Sequence, residues 1–127
     1  MCIRDRSNAT NARTNLGAAS TGANTFSGTQ TATNFCLSSD ERLKENIETI
    51  CCGLDKVKAM RGVSYTKDGE AQVGVIAQEV EKVVPEVVVE GEDGYKSVSY
   101  SQLVGVLIEA VKDLSAQVEE LKNDSSK

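Results

Sequence analysis

The chain has 127 residues, a net charge of −5, no histidine and no tryptophan. One small domain with a thin core fits that length, so oligomerisation is expected to supply part of the buried surface. The missing histidine excludes a Ser-His-Asp triad, a Cys-His pair and a histidine-based zinc site; the acidic balance argues against a nucleic-acid partner, and no apolar run approaches the roughly 20 residues that span a bilayer.

The first element in chain order is a segment to set aside. Met1 to Arg6 reads MCIRDR, which back-translates to ATG TGT ATA AGA GAC AGx and resembles a transposon-end sequencing adapter read in frame. On that reading the chain is a metagenomic fragment whose natural protein extends upstream, and Cys2 drops out of the argument. From Ser7 to Ser38, 25 of 32 residues are Ser, Thr, Asn, Gly or Ala. Such a stretch cannot bury enough surface to fold alone. It is either a disordered linker or the end of a fibrous shaft in which three chains wrap together. The Thr-rich, Gly-punctuated run TGANTFSGTQTATNF suits extended structure and favours the shaft.

Charges arrive after Ser39, and the pattern becomes that of a folded domain. Leu43, Ile47, Ile50, Leu54 and Val57 recur at helical spacing, and Gly53 is expected to break them into two helices. Gly62 to Lys67 reads as a strand, turned at Asp68-Gly69 and answered by Gln72 to Val75. Ile76, Val80 and Val83 predict a short helix stopped by Pro85. Val87 to Val89 and Tyr95 to Tyr100 read as a second hairpin. Cys36, Cys51 and Cys52 form no CxxC motif and read as small, semi-buried side chains in a reducing cytoplasm. No metal, cofactor or other small molecule is called for.

The last segment, about 101–122, predicts a helix with a heptad seam. Val104, Val111 and Val118 fall seven apart, and Leu107, Leu114 and Leu121 repeat three residues later. Valine at a with leucine at d by itself leans toward two strands. Leu103 at g and Ile108 at e widen the apolar face, which suits three. The competing possibility is one amphipathic helix packed on its own domain.

The string most informative about chemistry is Ser38-Ser39-Asp40-Glu41-Arg42-Leu43-Lys44-Glu45-Asn46-Ile47. Read locally it is a helix start, with Ser38 as N-cap, Glu41 closing a capping box and acidic residues in the first turn. SDERLKENI also resembles the opening motif of the intramolecular chaperone domains that close phage endosialidases, tailspikes and tail fibres. The same module resembles the self-cleaving domain of the myelin regulatory factor. GVIAQEVEKVVPEVV and YKSVSYSQLVGVLIEAVKDL match later segments of that family in order, so the resemblance covers 39–127. The lead-in resembles a phage fibre shaft.

That resemblance implies an α+β fold: short helices and β-hairpins, with the long C-terminal helix forming a trimeric bundle. It implies a homotrimer whose partners are its own copies and the upstream shaft, with no nucleic acid and no membrane. Such domains drive trimerisation and folding of the fibre in the host cytoplasm, then cut the chain before the motif serine and are released from the virion tail. Carried over, the scissile bond is Ser38–Ser39, Ser39 is the nucleophile and Lys44 its general base. A serine hydroxyl needs a base to take its proton, and a lysine serves only as the neutral amine, which burial or nearby positive charge favours. Arg42 is such a charge, with Asp40 a second supporting residue of opposite sign. On one regular helix, positions five apart differ by about 140°. Ser39 therefore lies in extended chain ahead of the helix, or Lys44 reaches across from another subunit. The alternatives are a non-cleaving trimerisation cap and a receptor-binding fibre tip. A membrane-tethered transcription factor is disfavoured by the polar lead-in.

Overall fold

The computed structural model of the chain describes residue 22 and residues 24–125. The adapter-like segment 1–6, half of the polar lead-in (7–21 and 23) and residues 126 and 127 lie outside the described residues. Two compact units divide the chain, Met1–Lys44 and Glu45–Lys127. In the first, residues 24–40 carry no helix or strand and are exposed, and one 3-10 turn follows at Glu41–Leu43.

The second unit is α+β. It runs α1 (Gly53–Ala59), β1 (Val63–Lys67), β2 (Glu70–Gly74), α2 (Ala77–Glu81), a 3-10 turn at Pro85–Val87, β3 (Val88–Glu90), β4 (Lys96–Val98), a 3-10 turn at Tyr100–Gln102, and α3 (Leu103–Ser125). The strands form two separate antiparallel hairpins, β1 with β2 and β3 with β4. Short helices, hairpins and a long final helix are what the sequence predicts.

The hairpin turns follow from local chemistry. Lys67 pairs with Glu70, leaving Asp68 and Gly69 as a two-residue loop with φ of 53° and 81°. Both angles are positive, as a type I′ turn requires, and Asp-Gly is among the pairs that accept them. Pro85 opens the 3-10 turn after α2, where its missing N–H costs nothing.

One predicted helix does not form. Of the run Leu43, Ile47, Ile50, Leu54 and Val57, only Leu54 and Val57 lie in an α-helix. Asn46 and Cys52 take left-handed backbone angles, φ 53° and 60°, which a right-handed helix cannot hold. Leu43 and Ile47 are 72% and 65% exposed, so no packing rewards a helix there. The cysteines are also corrected: Cys36, Cys51 and Cys52 are free and exposed rather than semi-buried.

The buried core is small: Val80, Val84, Val87, Leu103, Val106 and Ala110. Gly53 does not merely interrupt a pattern. It lets the start of α1 meet the backbone of α3, since a Cβ there would lie 2.5 Å from Ala110 N and 2.7 Å from Glu109 C. The N-terminus of α1 has no side-chain cap of its own. Asp113 of α3 supplies one, its Oδ2 accepting from Leu54 N at 3.2 Å.

Two outcomes follow for thermal unfolding at fixed chain concentration. Gly53→Ala is expected to destabilise the domain by about 1–3 kcal/mol through overpacking. Asp113→Ala should cost about 1 kcal/mol, with Asp113→Asn recovering most of it by keeping the acceptor.

Candidate active site

Ser39 stands just ahead of the 3-10 turn, and its surroundings are built by the next five residues. Asp40, in extended backbone (φ −63°, ψ 135°), is the N-cap, and its Oδ1 accepts from Arg42 N at 2.8 Å. Leu43 N donates to Asp40 O and Lys44 N to Glu41 O, each at 3.1 Å, closing the turn. Lys44 then leaves it in extended backbone. This single tight turn folds the chain back so that Lys44 Nζ donates to Ser39 Oγ at 2.5 Å. The two residues meet within one chain, because neither belongs to a continuous α-helix. All of these side chains are exposed in the single chain.

The cap differs from the local sequence reading. Asp40 holds it, not Ser38, because the turn begins at Glu41 and its N-cap is the residue immediately before. The signal was present as an aspartate directly ahead of Glu-Arg-Leu. Asp40 and Arg42 also grip each other: Arg42 Nε donates to Oδ1 at 3.0 Å and a terminal guanidinium nitrogen to Oδ2 at 2.9 Å. Arg42's charge is thus paired two residues from Lys44. The side-chain hydrogen bond from Arg42, with its backbone N–H second, holds the Asp40 carboxyl below its usual range. Asp40 in turn raises Arg42.

The heptad residues lie on the open side of α3. Val104, Leu107, Val111, Leu114, Val118 and Leu121 are between 43% and 69% exposed. The domain packs against a different face, made by Leu103, Val106 and Ala110. At 100° per residue the two faces are roughly 75–80° apart on the helix. Leu103, assigned to the widened seam from its spacing, is therefore a core residue, while Ile108 is 53% exposed beside the seam. Leu107 also lines an apolar groove of about 400 Å³ with Val57, Met60, Val75 and Leu103. From Leu114 to Ser125 the helix is exposed on every side, a length that is marginal for a helix alone in water.

The stretch opening on the Ser39–Lys44 pair also carries a family likeness. Residues 39–89 match the family described as chaperone of endosialidase, which carries a peptidase designation. Relatives with this likeness include the long tail fibre protein Gp37 of Enterobacteria phage K3, 44% identical over 103 residues covering 72% of this chain and 8% of that protein. The Gp37 of Enterobacteria phage T2 gives the same values. That of Enterobacteria phage M1 is 36% identical over 100 residues, covering 66% of this chain and 38% of its own. The chain thus spans well under half the length of these curated relatives. The chaperone of endosialidase match begins at Ser39, where the polar lead-in ends.

The turn that carries the pair should respond to acid. A carboxyl lowered on folding stabilises above its unfolded pKa, and that contribution disappears as pH falls through the folded value. A carbon-detected NMR titration is expected to put the Asp40 midpoint below the ordinary 3.8, and Arg42→Gln should move it back up. An unshifted Asp40 midpoint would remove the fork from the solution structure.

Proposed function

We propose that this chain is the C-terminal intramolecular chaperone of a phage tail fibre, which assembles as a homotrimer and then releases itself by cutting Ser38–Ser39. The observation that carries the reading is the 2.5 Å contact between Lys44 Nζ and Ser39 Oγ, at the first residue of the family match. The long tail fibre relatives support the fibre and the virion tail as its setting. Three copies of α3 joined along Val104, Leu107, Val111, Leu114, Val118 and Leu121 bury a stripe that water covers in the single chain. Burying each leucine contributes about 1.5–3 kcal/mol.

In the proposed cleavage, Lys44 as neutral amine accepts the Ser39 Oγ proton. Oγ attacks the Ser38 carbonyl carbon, and the oxyanion collapses with breakage of the Ser38–Ser39 C–N bond. The proton passes from Lys44 to the leaving Ser39 nitrogen, and water hydrolyses the resulting ester. A neutral amine is favoured where water is excluded, and the pair is open to solvent in the single chain. Cover from neighbouring chains or from the shaft is what would switch it on, so that cleavage follows assembly. Once the domain departs, the fibre persists by its unfolding barrier rather than by an equilibrium. Full exposure of the pair is also what a permanent, uncut trimerisation cap would show, and that is the second reading.

Expression with upstream shaft, read by intact mass, separates the two. The first expects a new N-terminus at Ser39, lost in Ser39→Ala and in Lys44→Gln. Intact chains in folded trimers would establish the cap instead. Mixed trimers of Ser39→Ala and Lys44→Ala chains should not cut, since no chain then holds both groups; cutting in the mixture would point to a site shared between chains. Leu114→Asp is expected to shift sedimentation from trimer to monomer and to lower cleavage with it.

A further inference from the structure

The chain contains three tyrosines. They lie in β1 (Tyr65), ahead of β4 (Tyr95) and in the 3-10 turn before α3 (Tyr100). No periodicity relates them, yet the fold gathers all three around one open groove of about 470 Å³. Lys67, Gln78 and Ser97 supply polar groups along its wall, and no carboxylate lines it. Lys96 also lines it, but its amine is held by Glu81. Lys67 is in no ion pair among the described residues.

The rings are positioned rather than loosely placed. Tyr100's hydroxyl accepts from Val75 N at 3.2 Å. Gly74 leaves the space in which two hydroxyls come together: a Cβ there would lie 2.5 Å from the Tyr100 hydroxyl oxygen and 3.3 Å from that of Tyr65. Tyr95 is 78% exposed, with its backbone pinned on both sides. Its N–H donates to Asp93 Oδ1 at 3.0 Å, and its carbonyl accepts from Gly91 N at 2.8 Å.

We infer that this groove binds a short acidic oligosaccharide. Its volume falls in the range of small-ligand sites, roughly 300–1,000 Å³. A tyrosine ring offers a flat apolar face and a polar tip at little entropic cost. A sugar has the matching duality, with a C–H face and a rim of hydroxyls that amide, hydroxyl and amine groups can bind. A lipid would need a more apolar wall, and a nucleic acid a row of cations to follow its phosphates, where this groove has one lysine outside an ion pair. Lys67 gives an acidic substituent a charged partner.

The same residues supply the readout. Without tryptophan, and with every tyrosine on the groove, intrinsic emission reports on this site alone. The full chain is titrated with oligogalacturonate and with a dextran oligosaccharide of equal length, followed by tyrosine emission and by saturation transfer to sugar protons. The expected result is saturable binding of oligogalacturonate, about tenfold tighter than dextran. Tyr95→Ala should weaken it by about tenfold with unchanged circular dichroism, and Lys67→Gln should bring the two sugars level. Binding of neither sugar, equal binding of both by the unaltered chain, or an unaffected Tyr95→Ala overturns the proposal. So does emission that ignores both sugars but changes on dilution, which would assign the groove to a neighbouring copy of the chain.

Discussion

The rotation of α3 about its own axis is set where Gly53 meets Ala110. With no side chain on α1 at that point, the two backbones approach closely, and Leu103, Val106 and Ala110 turn inward. Everything else about α3 follows. The heptad stripe is left on the adjacent face, Asp113 is carried to the open end of α1, and the last turns run out beyond the domain. A larger residue at 53 would not only strain the core. It would rotate or lift the helix and re-aim the stripe.

The features legible in the sequence were those decided locally. Asp68-Gly69 demands a tight reversal whatever surrounds it, Pro85 ends a helix by its own geometry, and a seven-residue repeat survives in any helix. The misread elements were those decided by partners. Leu43, Ile47 and Ile50 have helical spacing, but spacing rewards a helix only when something covers the face, and Leu43 and Ile47 stay in water. Leu103 joined the seam on paper because two apolar faces on one helix both show helical spacing. Only the contact with α1 and Val80 separates them.

The Ser39–Lys44 pair is intermediate between these cases. Rotation arithmetic excludes a meeting on a regular helix, which leaves a serine in extended chain or a lysine from another copy. In the single chain a 3-10 turn lets Lys44 fold back onto Ser39 after only three helical residues. The tyrosine groove lay beyond any linear reading, because residues 65, 95 and 100 share nothing except the fold that assembles them.

The cap that α3 lends to α1 also orders events during synthesis. Chains are made from the N-terminus, so α1 leaves the ribosome well before Ala110 and Asp113 exist. Until they arrive, its first turn has neither a packing face nor an acceptor for Leu54 N. The domain is therefore completed from its far end backward.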